Sequence, residues 1–120
     1  MPSNDKEEMK ALFEMVSRYF SVLSEPTRLS ILHALCEGER SVGDIVAMTE
    51  STQTNISRHL KLMFDASLLS RRKEGTLVFY KISNESTVDL CRSVCTQMAI
   101  EMANQKAINP KLAKKFTLQP

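Results

Sequence analysis

The feature that most limits what this chain can fold into is a change of hydrophobic period between residues 41 and 82. Ser41 opens a short helical pattern whose apolar side is Ile45, Val46 and Met48. Asp44, three residues after Ser41, occupies the capping-box position with Asp in place of the usual Glu or Gln. Thr49-Glu50-Ser51 reads as a turn. A second helical pattern then runs from about Thr52 to about Asp65, with Ile56, Leu60, Leu62 and Met63 as its apolar positions. From Leu68 to Ile82 the period drops to that of a strand. Leu69-Ser70-Arg71-Arg72-Lys73 forms one arm, Glu74-Gly75 marks the reversal, and Thr76 to Ile82 forms a second arm rich in β-branched and aromatic residues.

Longer helical patterns flank this segment. Met9, Leu12, Phe13, Val16, Tyr19, Phe20 and Leu23 follow i, i+3, i+4, i+7 spacing and predict an amphipathic first helix. Asp5, Glu7 and Glu8 sit where the helix dipole favours acids. Ser24 is the expected N-cap of a second helix, with Pro26 in its first turn. Leu29, Leu32, Leu35 and Cys36 are its expected buried face, and Gly38 its left-handed cap. Asn84 or Ser86 caps a long last helix reaching about Lys106, with the stripe Val88, Cys91, Val94, Cys95, Met98 and Met102. Asn109-Pro110 breaks it. The expected fold class is mainly α with a small antiparallel β-hairpin. At 120 residues one domain is the default, so residues 1–106 are read as that domain and 107–120 as a loosely ordered basic tail.

Composition narrows the function. Three glycines leave no glycine-rich phosphate loop, and no carboxylate pair or nucleophile–base arrangement stands out, so an enzyme is not expected. No apolar run reaches the roughly 18 residues of a membrane span. The polar, acidic start is no signal peptide. Three cysteines in such a chain predict a reducing cytoplasm rather than a disulfide framework.

Charge is unevenly placed. Residues 1–50 carry five Lys/Arg and nine Asp/Glu, residues 51–82 carry six and two, and residues 83–120 carry five and three. Positive charge therefore concentrates on the second short helix and the hairpin, the expected footprint of a nucleic-acid reader. Two short helices with a tight turn, followed by a basic hairpin, make a winged helix-turn-helix. Gln53, Thr54, Asn55, Ser57, Arg58, His59 and Lys61 lie on the second helix, whose early residues carry hydrogen-bonding side chains of the types that read base edges in a major groove. Arg71, Arg72 and Lys73 on the hairpin can meet phosphates of double-stranded DNA, releasing counterions.

The run Ser24-Glu25-Pro26-Thr27-Arg28-Leu29-Ser30-Ile31-Leu32 resembles the opening of ArsR/SmtB-type repressors. Ser41-Val42-Gly43-Asp44-Ile45, Gln53 to Lys61 and Arg72 to Tyr80 continue the resemblance in the family's order, over about residues 10–105. One departure is Ser67, where the family usually has Gly. The resemblance implies a homodimer with its interface on the first and last helices, an inverted-repeat operator near a promoter, and repression lifted by an effector. Two reading helices would then lie on the order of 34–36 Å apart.

The cysteines are the candidate sensor. Cys91 and Cys95 are i, i+4 on one helix face and can share a soft ion. The resembled fold packs the second helix near the last, which would bring Cys36 toward the pair. Three thiolates suit arsenic or antimony, and a fourth ligand would admit zinc or cadmium. A thiol redox or reactive-sulfur switch is the alternative, and so is a regulator with core cysteines and no small effector. Cysteine is absent from Ser41 to Glu50, and Asp89 lacks His or Glu partners, so two other sensor patterns of the family are missing. His33 is expected at the surface.

Overall fold

A computed structural model describes residues 4–107. The elements are α1 (Asp5–Leu23), α2 (Pro26–Leu35), β1 (Arg40–Ser41), α3 (Val42–Thr49), α4 (Gln53–Asp65), β2 (Leu69–Glu74), β3 (Leu77–Ile82) and α5 (Glu85–Ala107). The chain divides into two compact units, one up to Glu85 and one from Ser86. The second holds α5; of the expected tail, Ala107 ends α5 and residues from 108 onward lie outside those described.

In the first unit, side chains of α2, α3 and α4 share one core with the sheet. Ile31, Leu32, Ala34 and Leu35 of α2, Ile45 of α3, and Ile56, Leu60 and Met63 of α4 are buried together with Leu68, Leu69 and Tyr80. Three expected apolar-face positions are corrected. Leu29 is 40%, Met48 50% and Leu62 42% exposed, because the inward faces are set by Ile31/Leu32/Leu35, Ile45 and Ile56/Leu60/Met63.

The first four helices start where the chain can satisfy their first amide groups. Asn4 caps α1, Ser41 caps α3 by accepting from the Asp44 amide at 3.2 Å, and Thr52 caps α4 by accepting from the Asn55 amide at 3.1 Å. The cap of α2 differs from expectation. Glu25, not Ser24, accepts the Arg28 amide at 2.9 Å. Ser24 instead closes α1, its hydroxyl donating to the Ser21 carbonyl at 2.7 Å. Gly38, just past the end of α2, has the positive φ expected of it, at +141°, and its amide donates to the Leu35 carbonyl at 3.2 Å.

The turn between α3 and α4 holds Glu50 in the left-handed region, at φ 55°. The sheet has three strands rather than a bare hairpin, in the order β1-β3-β2, all antiparallel. The third strand is the two-residue β1, in which Arg40 pairs with Tyr80 and Ser41 with Phe79. Two residues are too few to show a period of two. The wing reverses at Gly75-Thr76, with Gly75 at φ 61° supplying the positive φ of a tight hairpin.

Candidate nucleic-acid interface

The core fixes which side of α4 faces outward. With Ile56, Leu60 and Met63 turned in, Gln53, Thr54, Ser57, Arg58 and Lys61 are exposed. Asn55 is half-buried. Its amide nitrogen donates to the Ser51 hydroxyl at 2.9 Å, and its carbonyl oxygen accepts from Arg58 at 3.4 Å. Asn55 thereby ties the helix-turn-helix turn to the Arg58 guanidinium. Lys61 reaches Asp65 one turn on, at 3.9 Å and in full solvent, a pairing of little strength.

His59 is placed differently from its neighbours. It is half-buried and turned toward α2, where its Nδ1 lies 3.3 Å from an Arg28 guanidinium nitrogen and its Nε2 lies 3.8 Å from the Glu25 carboxylate. The structure therefore sets His59 apart from the exposed face that carries Arg58.

The wing supplies the other basic group. Its three cations occupy different surroundings. Arg71 lies over the Phe64 ring of α4, 3.9 Å from the ring centroid, which pins β2 to the end of that helix. Arg72 lies over Phe79 at 4.4 Å and is held by two carboxylates. Its guanidinium donates in fork fashion to Glu39, at 2.6 to 2.9 Å, and to Glu74 at 2.6 Å. These bonds hold the Glu39 carboxyl below the ordinary value of 4.5 and raise the Arg72 pKa. Lys73 is exposed. Between α4 and the wing is a cleft of about 470 Å³, lined by Ser57, Arg71, Arg72, Lys73 and the side chains of Val42, Val78 and Tyr80. A polar helix face beside a basic notch of this kind can take a duplex, with bases against α4 and a phosphate against the notch.

Comparison with known proteins agrees with this geometry. Residues 25–71 match the model for the arsR family of bacterial regulatory proteins. The chain is 34% identical to an arsenical resistance operon repressor of Bacillus subtilis, over 60% of this chain and 72% of that protein. The chain belongs to the arsR family. That family consists of DNA-binding transcriptional regulators, not enzymes. A cadmium resistance regulator homologue of Staphylococcus aureus is 37% identical over 62% of this chain and 63% of its own length. Among solved structures, a homodimeric winged helix-turn-helix DNA-binding domain of Mycobacterium bovis, a possible ArsR-family regulator, is similar. It superposes with a TM-score of 0.73 at 29% identity, covering 85% of this chain and 93% of that one. The winged helix-turn-helix expected from the sequence is thus the fold of this ArsR-family member.

None of the three cysteines is on α4 or the wing. Cys36 is half-buried at the C-cap of α2, while Cys91 is half-buried and Cys95 exposed on α5. Among the described residues, no group of three His, Cys, Asp or Glu side chains is placed to hold a metal ion. No described helix is long and apolar enough to cross a membrane. His33 is exposed, as expected. Sequence reading missed Glu25, Arg28 and Glu39. None carries a distinguishing spacing, since each acts on a residue about 30 positions away.

Proposed function

We propose that this ArsR-family chain is a homodimeric repressor. It reads an inverted-repeat operator with Gln53, Thr54, Asn55, Ser57, Arg58 and Lys61, and steadies the duplex backbone with the wing. The observation that carries this is the exposed polar face of α4, held rigid by the buried Ile56, Leu60 and Met63, beside the basic cleft. Dimerisation is supported by apolar side chains with no protein over them. Phe13 is 63% and Met15 61% exposed on α1, and Val94, Met98, Ile100 and Met102 are exposed on α5. Exposed apolar side chains gathered on each of these two helices support an interface with a second copy. The compartment consistent with this role is the cytoplasm, where DNA is reached directly.

The effector proposed is a soft metal or metalloid ion bound through thiolates, with Cys91 and Cys95 as the donors. One helical turn separates them, which brings two soft ligands onto one face. The arsenical and cadmium resistance relatives support that class of effector. The test is ultraviolet titration of the reduced protein with Sb(III) and Cd(II), with Cys91→Ser as control, followed by a DNA mobility shift. A sulfur-to-metal band lost in the control, together with release of DNA, supports the reading. A silent titration with DNA release under polysulfide would replace it with reactive-sulfur sensing. DNA binding indifferent to all three would leave a repressor without a small effector.

A further inference from the structure

Both ring nitrogens of His59 face the first turn of α2. Arg28 carries only donors, so His59 Nδ1 is the acceptor at 3.3 Å and the ring hydrogen sits on Nε2, toward the Glu25 carboxylate at 3.8 Å. The same guanidinium donates through Nε to the Val22 carbonyl and through its other nitrogen to the Ser21 carbonyl at 3.4 Å. Those two carbonyls belong to the last turn of α1, which has no basic residue of its own there. One Arg28 side chain thus meets two terminal carbonyls of α1, that of Val22 and that of Ser21, which also accepts from Ser24, and fixes a ring on α4, from a backbone anchored on α2. Glu25 completes the arrangement by capping α2 at the Arg28 amide and facing the ring, and that amide hydrogen bond holds its carboxyl below the ordinary 4.5.

We propose that Arg28 and His59 are a positioning pair that sets the rotation of α4 about its own axis relative to α1, and so aims Arg58 at its base. His59 is next to Arg58 in sequence, so a ring held from α2 fixes the azimuth of the neighbouring guanidinium. A helix free to roll a few degrees still meets phosphates, but its base contacts lose alignment. The pair therefore governs discrimination between sequences more than general DNA affinity. This rests on the reading of α4 as the base-reading helix.

The test uses the full chain, a duplex selected by it from a random pool, and a scrambled duplex. His59→Leu removes the acceptor, and His59→Asn keeps one at the δ position. His59→Leu is expected to lose about tenfold in the selected-to-scrambled affinity ratio, and His59→Asn to keep most of it. Arg28→Lys in the His59→Leu background is expected to add no further loss of that ratio. Nitrogen NMR of the native protein is expected to show His59 Nδ1 unprotonated and Nε2 protonated at neutral pH. An unchanged ratio in His59→Leu, equal losses on both duplexes, or an Nδ1-protonated ring would overturn the proposal. If Arg28→Lys does not fold, the two His59 variants decide it alone. Arg58→Ala separates the two layers. If it leaves the ratio intact, the reading of α4 fails, and the NMR tautomer still decides whether the pair exists.

Discussion

The reading helix and the wing are both basic, yet they hold their charge in different ways. On α4, Arg58 is exposed and, among the described residues, tethered only to Asn55, and Lys61 reaches an exposed Asp65. On β2, Arg72 is gripped by Glu39 and Glu74 and stacked on Phe79. Two guanidinium groups that look equivalent in sequence thus have unequal freedom. On the proposed reading, Arg58 exchanges only water to meet DNA, whereas a phosphate has to compete with two carboxylates for Arg72. Counting basic residues measures the field of a surface, while the donors left unoccupied decide which contacts form.

The largest effect expected from this difference is at Arg58. Arg58→Ala should weaken operator binding by about 1–3 kcal/mol while leaving scrambled DNA nearly unaffected. Titration of both duplexes checks it, and equal losses on the two would assign Arg58 to phosphate.

The wing comes next. Sequence alone expects Arg71, Arg72 and Lys73 all to meet phosphates. With Arg72 occupied, Arg71→Ala and Lys73→Ala should each lower the slope of log K against log salt by about one, and Arg72→Ala should leave it unchanged. Replacing Glu39 and Glu74 together by Gln frees Arg72 and should steepen the slope by about one. A slope that drops in Arg72→Ala would mean that phosphate displaces the carboxylates, and the contrast between helix and wing would fall.

A smaller effect tests the joint between the two elements. α4 ends in a Schellman motif. The Ser67 amide donates to the Phe64 carbonyl at 2.9 Å, and the Leu68 amide to the Met63 carbonyl at 3.0 Å, with Ser67 at φ 64°. A non-glycine residue there carries a steric cost of about 1–2 kcal/mol. Glycine removes that cost but is freer in the unfolded chain by about 0.4–1 kcal/mol. Ser67→Gly should therefore stabilise the protein by about 0.5–1 kcal/mol, raising the melting temperature by a few degrees with DNA affinity unchanged. A lower melting temperature would contradict the strain argument.

That joint also shows what sequence can carry. Ser67 stood out in the sequence only as a departure from the family's glycine, and the geometry of the turn comes from the structure, with Ser67 at φ 64°. Needs that are written locally were legible, in the cap at Ser41 and in the side of α4 that faces outward, which its apolar positions mark. What stayed hidden depends on side chains meeting across about 30 residues of chain. Arg28 on His59 and Glu39 on Arg72 are of this kind, since pairing over such a distance leaves no period to read. Strand β1 escaped for a related reason. Its two residues are a strand only because Tyr80 and Phe79 lie beside them.

The smallest expected effect concerns the Glu39–Arg72 grip itself. Hydrogen bonding from Arg72 holds the Glu39 carboxyl below 4.5 in the folded chain. Between the lowered folded value and the ordinary unfolded value, the unfolded chain binds more protons, so stability rises with pH through that window. The contribution is fully present above about pH 4.5 and is lost as pH falls through the folded value. Both partners are in contact with solvent, which screens the pair and keeps the effect modest. Melting temperatures of the native chain and Glu39→Gln, followed from pH 7 to pH 3, should converge on the acid side, because the native chain alone loses this bond. Glu25, also held below 4.5, titrates in both proteins and cancels in the difference. Parallel curves would show that Arg72 is not gripped in solution. Arg72 would then be as free as Arg58, and the wing would have all three of its cations available to DNA.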